Sequence, residues 1–344
     1  MAARLAIPLP VLDDGPQRPV HAQGPRSLSA VRMLRISLTD RCNLRCRYCM
    51  PEEGVSFVPK EHLLDVDSIV EIAGVAHGFG VRHFKLTGGE PTLRSDLSEV
   101  VKGLRALPGV DISMTTNGIH LPRLIRPLHD AGLNRLTISI DSLRPDRYRE
   151  ITGGGRLERV IEGFEAAASV FGPPKLNVVA MRGVNDDEFL DFARFAIRHD
   201  STVRFIEFMP LGESTLADVD PSTVLVTAEE MIEVLSVTLG RLEPLEFGAD
   251  PGVGPARLFA CPGGRGRIGF IHAMSRPFCE TCNRLRLTAT GTLRSCLFDG
   301  GEVELAPLLG SGDEVIRDAF ARCTAFKPEV HRGRGERAMS SIGG

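Results

Sequence analysis

Cys42, Cys46 and Cys49 stand in the run Arg41-Cys42-Asn43-Leu44-Arg45-Cys46-Arg47-Tyr48-Cys49-Met50, three thiols at the spacing C-x3-C-x2-C. An iron–sulfur cluster is ordinarily held by four cysteines. Three would leave one iron with an open position, where a small molecule can bind and react. The competing chemistry is structural zinc, which takes four closed Cys or His ligands. No histidine falls inside the run, and the next along is His62. A second group, Cys279-x2-Cys282-x13-Cys296, lies far down the chain. There, a zinc-ribbon-like site with Cys261 or His272 as fourth ligand stays open beside an iron–sulfur cluster. Cys282 is followed by Asn283-Arg284-Leu285-Arg286. On a strand both arginines face the same side, and guanidinium groups beside a metal site can grip phosphate oxygens bidentately.

These groups need a scaffold. Strand patterns fall at 33–38, 83–87, 111–115, 135–140, 176–181 and 203–208, with helical patterns between them, as at 67–79, 121–130, 157–170 and 187–199. Strand–helix alternation implies a parallel sheet with right-handed crossovers. Six units fall short of a full eight-unit barrel, so the α/β expectation is a partial (βα)6 TIM-like barrel. The cysteine run follows the first strand and Gly88-Gly89-Glu90 the second. Thr116-Asn117-Gly118 follows the third, Asp141-Ser142 the fourth and Met209 the sixth. All are carboxyl ends of strands, where such barrels build active sites.

After residue 212 the rhythm breaks into a helical stretch near 228–235 and short strands near 267–271 and 285–290. The expected division is a mobile Pro/Gly-rich extension over 1–30, the barrel over 31–212 and a smaller α+β iron–sulfur domain over 213–344. Pro262-Gly263-Gly264-Arg265-Gly266 reads as a hairpin turn rather than a phosphate cradle.

Composition narrows the partners. The 344 residues are 42% hydrophobic and carry 41 basic against 44 acidic groups, a net charge of −3. That balance does not favour nucleic acid, so an anionic ligand needs local cations. No apolar stretch is long enough for a bilayer, and no secretory signal opens the chain. Six of eight cysteines in two tight groups argue for metal over disulfides and fit a reducing cytoplasm. Cys261 and Cys323 read as buried thiols. Of only five lysines, Lys85 and Lys175 fall on barrel strands, and Arg35 lies inside the first strand. An inward charge is costly unless paired. Together these three point to a cationic channel for a polyphosphate.

With Leu86-Thr87-Gly88-Gly89-Glu90-Pro91 behind it, the first cysteine run resembles the signature of the radical S-adenosylmethionine enzymes. The run Cys279-x2-Cys282-Asn283-Arg284-Leu285-Arg286 and the ending Gly343-Gly344 sharpen the likeness. Beyond the extension, nearly the whole chain is similar to the GTP 3′,8-cyclase family of molybdenum cofactor biosynthesis. The resemblance implies a 4Fe-4S cluster on Cys42, Cys46 and Cys49 and a second on Cys279, Cys282 and Cys296. It implies S-adenosylmethionine contacts at Tyr48, Gly89, Ser139 and Met209, with the Gly-Gly-Glu-Pro backbone near the methionine amino group. GTP contacts fall on Arg35, Lys85, Thr115, Lys175, Arg284, Leu285 and Arg286. Many relatives have arginine where Lys85 stands, so its phosphate grip loses the bidentate fork. The implied reaction is that of a lyase: an adenosyl radical takes the 3′ hydrogen of GTP, and the carbon left behind attacks C8. An external electron donor and, as the next enzyme, cyclic pyranopterin monophosphate synthase are implied partners; a homodimer is compatible with the sequence. The other reading is a peptide-modifying radical S-adenosylmethionine enzyme with an auxiliary cluster. Such enzymes usually have more auxiliary cysteines and lack the Arg-Leu-Arg run and the Gly-Gly ending.

Overall fold

Alternation along each strand sorts the barrel into an apolar outside layer and a polar interior. In β1 (Met33–Ser37), Leu34 and Ile36 are fully buried under the surrounding helices, while Arg35 takes the opposite face. The same phase recurs in β2 (His83–Thr87), where Phe84 and Leu86 are fully buried and Lys85 alternates with them. β3 (Asp111–Thr116), β4 (Arg135–Ser139), β5 (Lys175–Ala180) and β6 (Thr202–Glu207) complete six parallel strands in chain order. The computed structural model describes residues 24–51, 54–212, 214–216, 218–246, 254–298, 300–335, 337 and 339–343. The expected extension lies mostly outside them. Of residues 24–30, Ala30 is fully buried and Arg26 donates to the Lys327 carbonyl at 2.8 Å.

The six βα units match the expected partial barrel, but the sheet does not stop there. The C-terminal third adds β7 (Glu243–Pro244), β8 (Arg257–Ala260), β9 (Arg267–Ile271), β10 (Arg284–Leu287), β11 (Thr292–Arg294) and β12 (Glu302–Glu304). β10 pairs parallel with β1, Met33 opposite Arg284, and β9 pairs parallel with β6, Thr202 opposite Arg267. The order is β12-β11-β10-β1-β2-β3-β4-β5-β6-β9-β8-β7 in one sheet. Eight strands therefore run parallel, and the last third of the chain supplies both outer neighbours of the barrel. Residues 261–266 form the turn between antiparallel β8 and β9, with Cys261 N–H donating to the Gly266 carbonyl at 3.1 Å. Among the described residues no helix is long and apolar enough to cross a membrane.

Candidate active site

The front mouth of the barrel is built where β1 and β2 end. Gly89 N–H donates to the Thr39 carbonyl at 2.6 Å and Glu90 N–H to the Arg41 carbonyl at 2.7 Å. A Cβ on Gly89 would lie 2.3 Å from the Arg41 carbonyl oxygen, and one on Gly88, whose φ is +152°, 2.5 Å from that of Thr39. The close approach these glycines permit is thus to the backbone of the cysteine loop itself. Glu90, 1% exposed, then ties the loop to the end of β3. Its carboxylate accepts from Thr92 N–H, Thr92 Oγ1, Thr116 Oγ1 and Asn117 N–H at 2.6–3.0 Å. Asn117 Nδ2 donates to Asn43 Oδ1 at 2.7 Å, inside the cysteine run.

Tyr48 packs with Ile151, Met181 and Phe208, and its hydroxyl donates to Asp141 Oδ2 at 2.8 Å. Val179 N–H donates to the other oxygen of Asp141 at 2.8 Å. Burial still pushes that carboxyl up to about 6. Burial also pushes Cys42 up to about 11 and Cys49 to about 12, with Cys46 raised well above its ordinary value. Glu90 adds to the rise at Cys42, and Asp141 to that at Cys46 and Cys49. The three thiols, Tyr48, Gly89, Ser139 and Met209 all line one cavity.

Register writes the cations across the interior of that cavity. Arg286 of β10, Arg35 of β1 and Lys85 of β2 are direct cross-strand partners, about 4.8 Å apart per strand. Arg204 of β6 lies opposite Asn177 on one side and Gly269 on the other. A Cβ at Gly269 would come within 3.0 Å of the Arg204 side chain, so glycine clears room for it. Burial lowers the pKa values of Arg35 and Lys85 well below their ordinary ranges and that of Arg286 to about 10; neighbouring cations add to each. Thr115 Oγ1 and Asn177 Oδ1 are buried in the lining with no hydrogen-bond partner among the described residues, an arrangement that native interiors rarely leave unfilled.

The rear mouth lies where β10 begins. Because β10 and β1 are parallel, Cys279 and Cys282 sit at the opposite end of the sheet from the front cysteines. The five residues of β1 separate the two ends, roughly 16 Å at ~3.3 Å per residue. The long x13 spacing is a hairpin: β10 runs out, turns at Gly291 and returns as antiparallel β11. Arg286 faces Arg294 in that pairing, and the same register carried two residues further brings Cys296 back opposite Arg284. Burial pushes Cys279 up. Burial also acts on Cys282, yet Arg284 and Lys327 more than reverse it and hold that thiol at about 7. Glu207, fully buried at the carboxyl end of β6, fixes the turn that leaves β9 and leads to Cys279. It accepts from Met274 N–H and Ser275 N–H at 2.8 Å, Ser275 Oγ at 2.5 Å and Ala228 N–H at 2.9 Å.

Two of the anticipated GTP contacts do not line the cavity. The Leu285 side chain is fully buried in the main apolar core, leaving only its backbone for a ligand. Lys175, at the start of β5, is near enough for its charge to press on Lys85. Arg35, Lys85, Thr115, Arg284 and Arg286 all line it. Gly343 is tucked against Ser37 and Thr87, and its carbonyl accepts from Arg286 Nη1 at 2.5 Å. Gly344 lies outside the described residues. Arg204, Asn177, Glu207 and Lys327 received no role from sequence. Arg204 and Asn177 could have been found from their inward strand phase; Glu207 and Lys327 carry no local signal.

The donor sets fit clusters better than single ions. Among the described residues no three His, Cys, Asp or Glu side chains converge on one ion position. Cys261 belongs to the apolar core, and His272 stands outside the cavity that the rear cysteines line, so neither is placed as a fourth rear ligand. His331 lines the cavity, but both its ring nitrogens are engaged, Nε2 with the Ala273 carbonyl oxygen at 2.7 Å and Nδ1 with Gly333 N–H at 3.0 Å. Each mouth therefore offers three sulfurs, the donor count that leaves one iron of a four-iron cluster free.

Residues 36–196 match the radical SAM superfamily, and residues 201–333 match the Molybdenum Cofactor Synthesis C family. The chain is 46% identical over 323 residues to the GTP 3′,8-cyclase of Moorella thermoacetica, covering 91% of this chain and 98% of that protein. It is 44% identical over 322 residues to the GTP 3′,8-cyclase of Pelotomaculum thermopropionicum, with the same coverage. Among solved structures, Streptococcus suis SuiB bound to S-adenosylmethionine shares the fold at TM-score 0.52 and 15% identity, over 78% of this chain and 60% of that one.

Proposed function

The chain belongs to the GTP 3′,8-cyclase family of the radical S-adenosylmethionine superfamily, and from that premise we propose how its residues divide the work. It converts GTP to (8S)-3′,8-cyclo-7,8-dihydroguanosine 5′-triphosphate, the first step of molybdenum cofactor biosynthesis, using two 4Fe-4S clusters and S-adenosylmethionine. Cys42, Cys46 and Cys49 would hold the front cluster, and Cys279, Cys282 and Cys296 the rear one. The chemistry supplied by the front cluster with S-adenosylmethionine, when both are bound, is a one-electron cleavage that yields the radical for removing the 3′ hydrogen of GTP.

The chain's own residues supply position and charge. Asp141 locks the Tyr48 ring, and Tyr48, Gly89, Ser139 and Met209 hold S-adenosylmethionine in the front mouth. Arg35, Lys85, Lys175, Arg284 and Arg286 neutralise the triphosphate, which in turn relieves cations that burial penalises. Thr115 offers an unfilled hydroxyl, and Leu285 contributes through its backbone. The guanine is directed toward the rear cysteines, so the ribose is held between the two mouths at near-attack distance. Reduction by a separate electron donor, a lyase classification, a cytoplasmic setting and delivery to cyclic pyranopterin monophosphate synthase complete the reading, in which the barrel spans 31–212 and the rear-cluster domain 213–344. A homodimer is compatible with it.

The observation that carries the residue assignment is the row Arg286, Arg35 and Lys85 in cross-strand register between two three-cysteine mouths. Anaerobic protein with about eight irons per chain is incubated with S-adenosylmethionine, reductant and GTP. Formation of 5′-deoxyadenosine that depends on GTP is expected. The same product formed with a peptide and without GTP overturns the reading.

A further inference from the structure

Lys327 is 3% exposed and follows the helix Asp313–Ala325. Its ammonium donates to the Cys282 carbonyl at 2.8 Å, and no carboxylate among the described residues pairs with it. Arg294, equally buried, has Glu302 as its counter-ion. A buried cation without an anion is costly, so the charge of Lys327 needs a source of compensation. Burial lowers the pKa of Lys327, and the sulfurs of Cys282, Cys323 and Cys296 are the groups that oppose that fall. Cys323 is a neutral thiol, donating to the Gly301 carbonyl at 3.2 Å. That leaves two rear cysteines. Lys327 also stands outside the cavity lining. Arg284 faces Cys282 too, but it lines the cavity, where bound phosphate would compete for its charge.

We infer that Lys327 is the internal counter-ion of the rear cluster: it orients Cys282 through the carbonyl and holds a fixed positive charge behind the sulfurs, out of reach of substrate. The inference rests on the reading of Cys279, Cys282 and Cys296 as cluster ligands. The step it governs is one-electron reduction of the cluster by an external donor, which adds one negative charge. A nearby cation favours that reduced state, because net charge sets cluster potentials.

The test uses the full chain with Cys42, Cys46 and Cys49 replaced by alanine, so that only the rear cluster gives a signal. Iron is counted, and the cluster is titrated with dithionite under electron paramagnetic resonance. Lys327→Met and Lys327→Gln are expected to lower the reduced-to-oxidised ratio at fixed ambient potential about tenfold, a shift of about 59 mV for one electron. Lys327→Arg is expected to stay near the parent. If Lys327→Met loses its irons, the Gln and Arg variants decide. Gln titrating like the parent, or Arg shifting as far as Met, overturns the inference. A parent that binds zinc or no iron at this mouth overturns the cluster reading instead.

Discussion

The two mouths of the barrel present the same three sulfurs in opposite electrostatic settings. At the front, Asp141 and Glu90 add negative charge to buried thiols, and Cys42 and Cys49 stand at about 11 and about 12. At the rear, Arg284 and Lys327 bring Cys282 down to about 7. The contrast follows from position in the sheet. Front cysteines follow a strand end where the stapling groups are carboxylates; Cys279 and Cys282 precede a strand whose inward residues are arginines. The front setting disfavours added electrons and fits a strongly reducing centre, whereas the rear one tolerates an anionic substrate.

The largest test removes one mouth at a time. Cys46→Ala should take 5′-deoxyadenosine formation to background, while Cys282→Ala should keep the front irons and lose only cyclised product. Iron counts falling from about eight to about four in each case check that the mouths load independently. Next come the rear cations. Arg284→Ala and Arg286→Ala each remove charge-assisted bonds of about 1.5–3 kcal/mol. The Kd for GTP should therefore rise roughly 10- to 150-fold, read by anaerobic calorimetry, with S-adenosylmethionine affinity unchanged. An unchanged Kd for GTP in Arg284→Ala would remove that residue from the phosphate site.

Smaller effects sharpen the contrast. Glu207→Ala strands four donors, and even one left unsatisfied costs about 1–3 kcal/mol. Thermal melting should fall by several degrees, and rear irons should be lost before front irons. The smallest effect is a difference in rate. In iron-free protein at pH 8, a thiol at about 7 is largely thiolate and those at about 11 and 12 are not. Iodoacetamide should label Cys282 first, more slowly as pH falls through 7, and reach Cys42 and Cys49 only above pH 10. Peptide mass mapping reads the order, and equal labelling of both mouths would erase the distinction drawn between them.

Much of the front mouth was legible because its information is local. The C-x3-C-x2-C spacing, the Gly88-Gly89-Glu90 turn and the inward phase of Arg35 and Lys85 all sit within single units of the αβ rhythm. The rear mouth was legible in composition but not in construction. β9 and β10 join the barrel strands through long connections rather than through βα units, so periodicity cannot name their partners. The x13 interval between Cys282 and Cys296 reads as plain distance until pairing makes it a hairpin. Leu285 shows the limit of motif transfer: it stands between two lining arginines, yet alternation sends its side chain into the core. Glu207 and Lys327 act on groups tens of residues away, which no sequence window contains.

Placing both outer strands in the final third of the chain has a consequence for biosynthesis. β1 must wait for a neighbour some 250 residues downstream, a closure that is slow and entropically demanding. During translation the flanks of the first six strands emerge bare, an invitation to aberrant pairing between nascent chains. The rear cysteines can therefore come together only after Cys296 has left the ribosome, and a product truncated before β9 and β10 would be left with an unsealed, adhesive sheet.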